Sequence, residues 1–545
     1  MLLTVARAAA IASTCVFWMS ACGGGGGGGG GGNPNPPPAT GPFAIGGTVT
    51  GLDATASGLV LQNNAGNDLA IAANGSFTFS TAIATGGAYA VTVKTQPNLG
   101  PLQNCSVTNG AGTVASAAVT NVIVACVTRT AKFLFVTNPG SNTVSGYSIN
   151  AVTGQLTAVP GSPFATGARP EYVTAEPSGK FVYVTTFGSA AEPARIFGFN
   201  LNAGTGALTQ LANSPFELSE TSPPPPSQFG VVTVPALNPA GTLGYVAAVA
   251  PPTPTAVVSQ LYGATISSVT GDLAGIAGTP LAVGYNATTP VVDSTGSYLF
   301  VPRNTSSAGT GGEIASYVIS SPSGQLTPNG AAVPTGGNTP IVAAVPGGKF
   351  LLVPNLASPV LAVMAVDTAG ALSAAAGSPF VTGAAGTAPG IPIYNRRLNV
   401  VYVVSDIPGP TPTAPVMHAL AFNTTTGAVT PVAGSPYSTS GATLFPMQHP
   451  SGKFLYQVNK ANQRLQRYTI DPASGALTLQ PDFTPVSAGD HILVVDPSGR
   501  YAYVTSGGSA TVSSYSIDAT TGALTLVNTL PAGSGAFIPQ TVGLQ

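Results

Sequence analysis

Residues 500–526, RYAYVTSGGSATVSSYSIDATTGALTL, decide the fold. Tyr501, Tyr503, Val504 and Thr505 bring the aromatic and β-branched residues that favour a strand. Gly507-Gly508 turns the chain. Residues 512–517 alternate as a second strand, 518–522 form a loop, and Leu524 opens a third strand. The same phrase recurs upstream, so the stretch is one unit of an array.

Two marks carry the repeat. The first is a glycine followed two residues later by an apolar residue. It stands at Gly154, Gly206, Gly271, Gly324, Gly370, Gly427, Gly475 and Gly522, at intervals of 46 to 65 residues. The second is a turn entering an aromatic strand, as in Pro177-Ser178-Gly179-Lys180-Phe181 and Pro497-Ser498-Gly499-Arg500-Tyr501. Proline presets φ and glycine supplies φ > 0, so these turns have a mechanism. A period near ~50 with four short strands per unit is the mark of a β-propeller blade.

Length and composition agree. The 545 residues suffice for a large core, and 69 glycines and 50 prolines punctuate short strands. Only 6% of residues are charged and the net charge is −1, which argues against a nucleic-acid partner. Ser, Thr, Asn, Gln and Gly must cover the surface.

The chain begins like a targeting segment, 1–21. Arg7 is a short positive region, and 8–19 is apolar but too short to span a bilayer lastingly. Met19-Ser20-Ala21-Cys22 resembles a bacterial lipobox, which implies lipidation of Cys22; an ordinary signal peptide cut near Cys22 is the alternative. A tether follows at 22–42: an unbroken glycine run, 23–32, then a proline-rich stretch, 33–38, neither able to bury a core. One acyl chain binds membranes weakly, but the modification the resemblance implies carries several. The membrane is therefore an expected partner, through the lipid anchor. The expected location is the bacterial cell envelope, periplasmic or at the outer-membrane surface.

Residues 43–128 read as a small separate domain. Strand-like runs occur at 47–49, 59–61, 69–72, 76–79 and 89–93, and Asn74-Gly75 and Asn109-Gly110 are hairpin signals. The expected fold is an immunoglobulin-like antiparallel β-sandwich without the Cys–Trp–Cys spacing of a true immunoglobulin domain. Cys105 and Cys126 flank Asn109-Gly110 and are the only cysteines outside the targeting segment and its Cys22. In an exported chain this pair predicts a disulfide, stabilising by about 3 kcal/mol in the chain-entropy model.

The array fills 131–545. Eight entry strands begin at Phe133, Phe181, Leu243, Tyr298, Phe350, Val400, Phe454 and Tyr501. Segments such as 170–175 and 492–495 are expected to be the innermost strands of their blades. Residues 539–544 look like an inner strand with no blade after it, so they are predicted to pair with the first blade and close the ring. The longest unit carries Pro223 to Pro226, which cannot join a ladder and must protrude.

These units resemble the lactonase-like β-propellers, the group of bacterial 6-phosphogluconolactonase and the YVTN-repeat proteins. Phe135-Val136-Thr137-Asn138 and Tyr503-Val504-Thr505 stand close to the naming strand, and Gly146-Tyr147-Ser148-Ile149 and Ser514-Tyr515-Ser516-Ile517 match each other downstream. The resemblance covers 131–545 and implies seven blades, whereas eight units are counted here. The fold class expected is thus all-β: a β-propeller preceded by a small sandwich. A WD40 array is excluded, because the only tryptophan, Trp18, lies in the targeting segment.

No serine has glycine at both −2 and +2, and H-E-x-x-H, C-x-x-C and G-x-x-x-x-G-K are absent. No metal site and no cofactor are expected. Lactone hydrolysis needs a base for water and a cation or donor for the oxyanion. Aligning 175–179 with 495–499 places Glu171 and His491 at one inner-strand position, flanking the closing blade. Arg169 lies close by, and Arg303 follows the fourth entry strand. Glu171 and His491 are the catalytic candidates, with Arg169 and Arg303 as the substrate-binding cations; polar rim residues and solvated or ion-paired arginines are the alternative. His449 occupies a turn position held by Glu176 and Asp496 in other units, and His418 sits mid-blade without an assigned role. Two functions follow. The chain is an envelope lipoprotein whose propeller binds a protein, glycan or small molecule, or it is a lactonase-like hydrolase acting on a sugar lactone.

Overall fold

The computed structural model describes residues 41–544, apart from 189–191, 219–230, 250–257, 345–347, 384–386, 407–414, 440–445, 460–461, 482–483, 488 and 490. The targeting segment, Cys22, nearly all of the tether and the tetraproline lie outside the described residues. The described elements are strands. No helix among them is long and apolar enough to cross a membrane.

Residues 42–128 form two four-stranded sheets around one core, with a small two-stranded sheet of Pro42–Phe43 and Ile83–Ala84. Ile45, Val49, Leu59, Leu61, Val122 and Val124 fill it, and each is nearly inaccessible to solvent. Alternate residues of the strands point inward, so burial alternates along 47–50 and 59–63. Two expectations need correction. The sandwich is not wholly antiparallel: Val119–Thr128 pairs parallel with Ile45–Thr50 and antiparallel with Gln103–Thr108. Neither Asn-Gly dipeptide closes a hairpin, since the strands on either side of each belong to different sheets. The Asn74 side chain instead holds the Leu52 backbone from both sides (2.8 and 2.7 Å). The tight hairpin is Leu59–Asn63 with Asn67–Ile71, turned at Asn64 and Ala65, both at φ > 0. Cys105 and Cys126 face each other across two paired strands and are disulfide-bonded.

Among the described residues from Ala131 onward, eight sheets follow in chain order, each built on a path of four strands; we number them blades 1 to 8. The eight entry strands are the second strands of these paths. The first blade borrows its inner strand from the end of the chain: Pro539–Leu544 pairs antiparallel with Ala131–Asn138, Phe133 opposite Val542. That strand lies beside Pro170–Ala175 of blade 2 and His491–Val495 of blade 8. The sandwich meets the propeller through Leu102 N–H to Pro497 O (2.8 Å) and Arg396 Nη1 to Asn98 O (3.0 Å).

The repeated glycine explains how blades stack. All eight have φ between 73° and 79°, the left-handed region that costs other residues strain. A Cβ at Gly206 would lie 2.6 Å from the Phe133 ring of the preceding blade, and one at Gly271 would lie 2.4 Å from Phe181. The same seat recurs at Gly370 on Tyr298, Gly427 on Phe350 and Gly522 on Phe454. Gly154 of blade 1 sits on Tyr501 of blade 8, so the relation runs round the ring. Buried tyrosines two residues along the entry strand add hydrogen bonds to these glycine carbonyls: Tyr183 to Gly271 (2.6 Å), Tyr245 to Gly324 (2.6 Å), Tyr402 to Gly475 (2.8 Å). Burial pushes the Tyr245 phenol up to about 12, so it stays protonated and donates.

Candidate functional site

The inner strands supply the residues nearest the axis. Glu171 lies on Pro170–Ala175, where the register slips: Tyr172 pairs with Thr185 and Pro170 with Thr186, leaving Glu171 as the extra residue of a bulge. His491 pairs with Ser506, the counterpart of Thr186. The expected equivalence of Glu171 and His491 is therefore off by one residue, because the sequence alignment does not count the bulge. His491 shares register with Pro170. Its side chain lies outside what the structure describes. The two strands do flank the closing strand, one on each side.

Arg169 and Glu171 come together. The Arg169 guanidinium stands 3.9 Å from Glu171 Oε1, with the arginine side chain 57% exposed and the glutamate 12%. Burial raises the Glu171 carboxyl above its ordinary value, and Arg169 offsets this only in part. Arg169 adopts φ 56°, a sparsely populated conformation for a side-chain-bearing residue. Asn142 Oδ1 accepts its N–H (3.0 Å), and its carbonyl accepts from Phe187 N–H (3.0 Å). The guanidinium lies 5.2 Å from the centre of the Phe187 ring, which packs against Tyr172. Burial, then the Glu171 charge, raises the Tyr172 phenol. Tyr172 and Phe187 were missed in the sequence; their adjacency follows from the strand pairing that brings 172 and 187 to one end of blade 2. Thr137, from the naming strand of blade 1, donates to the Glu171 carbonyl (3.1 Å) and fixes the bulge.

Arg303 does not join them. Its Nε donates to Glu313 Oε1 (2.8 Å), its partner across the blade 4 hairpin, and its Nη1 to Val283 O (3.3 Å). The guanidinium is half-buried in this pair. Among the described residues, no cluster of three or more His, Cys, Asp or Glu is arranged to hold a metal.

His449 and His418 are structural. His449 is buried, its Nε2 faces Gly499 O (2.7 Å) and its Nδ1 accepts from Ser451 N–H (3.1 Å), the pattern of a neutral ring protonated at Nε2. Equivalent turn residues do the same work: Glu176 accepts from Ser178, Lys180 and Phe181 N–H, and Asn395 reaches Gly452 O (3.1 Å). Burial lowers the His449 pKa below the ordinary 6.5. Its share of stability is thus present above that value and lost as pH falls below it. Urea midpoints should fall between about pH 7.5 and pH 5.5 by more in the wild type than in His449→Asn, which keeps the turn residue of Asn395. Equal falls would show that His449 is not the titrating group. His418, also held neutral by burial, packs edge-on against Phe380.

The eight sheets make an all-β propeller, and part of its sequence resembles the lactonase-like propellers. Residues 422–538 match the family described as "Lactonase, 7-bladed beta-propeller". No protein with a curated description matches the chain. Among solved structures, it is similar to the periplasmic gluconolactonase of Pseudomonas aeruginosa, with 15% identity over 75% of this chain and 99% of that one and a TM-score of 0.49. It is also similar to a putative 6-phosphogluconolactonase from Bacteroides fragilis, with 16% identity over 76% and 98% of the two chains and a TM-score of 0.47.

Proposed function

We propose that the propeller is a lactone hydrolase opening a sugar lactone. The observation that carries this reading is the match of residues 422–538 to a lactonase propeller family. The chemistry is assigned to the inner edge of blade 2. Glu171 takes a proton from water as general base, and burial moves its pKa toward neutrality, where a base works best. Arg169 lies 3.9 Å away with its side chain 57% exposed, and is the cation that would turn from Glu171 onto the carbonyl oxygen as negative charge develops there. His491, on the strand across the closing strand, is proposed as a further proton carrier. Arg303 is committed to Glu313 and is left out of the site.

Purified protein should open glucono-δ-lactone and its 6-phosphate faster than buffer, read as acid release. Glu171→Gln should lower kcat/KM by about 100-fold or more. In the wild type the acidic limb of the profile should lie above the ordinary glutamate range, and in the variant it should vanish. Hydrolysis no faster than buffer by the wild type would end the proposal; an unaffected Glu171→Gln would remove this site from it.

The protein is also proposed to hang from a cell-envelope membrane through Cys22, since small residues precede Cys22 and a ten-glycine tether follows it. Such a tethered propeller also suits a binding module, the second reading, favoured by a chain only 6% charged. The anchor is tested by Cys22→Ser: it should lose palmitate labelling and leave the membrane fraction, and retention of both would refute lipidation.

A further inference from the structure

Blade 3 lacks side chains that every other blade has. In the others, the third residue from the end of the third strand is large and buried, and its partner on the second strand is apolar. The pairs include Leu134 with Tyr147, Val182 with Phe199 and Leu455 with Tyr468; the slightest is Ala502 with Tyr515. Each large residue plugs the interface with the preceding blade, as Tyr147 does among Tyr501 and Tyr503. In blade 3 the same pair is Gly244 with Ala264.

A cavity of about 530 Å³ opens there, between Gly244, Ala264 and Gly275 of blade 3 and Tyr183, Ile196 and Phe216 of blade 2. That size falls within the range of small-molecule sites. A cleft between two blades forgoes side-chain contacts that the plugs supply at the seven other interfaces. The lining contains one charged residue, Glu217, whose carboxylate is held by Arg195 Nε (2.9 Å). The surroundings therefore favour an uncharged, apolar occupant.

The plugs in other blades indicate its shape. The Tyr147 hydroxyl donates to Pro531 O (2.7 Å) and the Tyr515 hydroxyl to Pro485 O (3.2 Å), each a carbonyl of the preceding blade. Pro485 pairs with Arg464 in blade 7 as Glu217 pairs with Arg195 in blade 2. The Glu217 carbonyl is thus the counterpart acceptor beside the cavity.

We propose that this cavity binds a small neutral phenol, its ring replacing the side chain missing at Ala264 and its hydroxyl donating to the Glu217 carbonyl. The probe is p-cresol, added to the full chain. It should raise the melting temperature saturably, and toluene, which lacks the hydroxyl, should do so less. Ala264→Tyr should melt higher than wild type without ligand and lose the p-cresol shift. Ala264→Leu, a smaller plug, should weaken the shift and serves if the tyrosine variant does not fold. No saturable shift in the wild type, a toluene response as large as that of p-cresol, or an undiminished shift in the plugged variants would overturn the proposal.

Discussion

Removing the residues after Ser534 is expected to open the propeller rather than shorten it. The lost segment contains Pro539–Leu544, the inner strand of blade 1, with Val542 buried opposite Phe133. It also contains Ala536, buried in the cluster that joins blades 8 and 1. Thr505 of blade 8 donates to Phe537 O, and Ile538 N–H to Thr137 Oγ1 (3.1 Å), so the segment ties three chain regions together. A buried valine contributes about 1.5–3 kcal/mol, and each ladder hydrogen bond about 1 kcal/mol net. The total loss is on the order of 5 kcal/mol or more, comparable to the whole stability of many domains. It also exposes the edges of Ala131–Asn138 and its neighbours to aggregation. The truncated chain should lose its main cooperative melting transition, become protease-sensitive throughout blades 8, 1 and 2, and precipitate. Unchanged melting and protease resistance would show that the ring closes without this strand.

Several features of this fold were written plainly in the sequence. Pro497-Ser498-Gly499 and its relatives set the turns, and alternation from Tyr501 onward set the strands, because both signals are local. Closure at 539–544 was legible as well, since a strand without a blade needs a partner. The errors arose where local chemistry names a turn but not its destination. Asn109 does adopt φ 57°, as the dipeptide requires, yet the chain leaves it for the opposite sheet. At Glu171 the alignment was correct by count and wrong by one in register, because a bulge has no mark in the sequence. Arg303 was a candidate cation with ion pairing as the alternative, and the ion pair is what forms, but its partner, Glu313, could not be named because it lies across a hairpin. The gap at Gly244 and Ala264 was present in the letters all along. It becomes visible only when strand pairing shows that these two positions face each other and that their counterparts are large.

The repeated glycine gives the sharpest test of how the blades stack. Gly154→Ala places a Cβ 2.2 Å from Tyr501 Cδ1, across the junction of blades 1 and 8, at φ +73°. Gly377→Ala has nearly the same backbone, φ +76°, but nothing within 4 Å of its Cβ. The second variant should cost about 1–2 kcal/mol, the strain of a left-handed residue alone. The first adds a collision with a ring that is itself held: Tyr501 donates to Ala151 O (3.1 Å), and Ser514 binds the Gly154 carbonyl (2.6 Å). Overpacking of that kind adds about 1–3 kcal/mol, so Gly154→Ala should cost about 2–5 kcal/mol in urea unfolding, more than Gly377→Ala. Trimming the ring should return part of this: Gly154→Ala with Tyr501→Leu should be less destabilised than the sum of the two single changes, a coupling of about 1 kcal/mol or more. Were the two alanine variants equally destabilised, the glycines would be serving their own loops only, and the seating of each blade on its neighbour's aromatic would carry no stability.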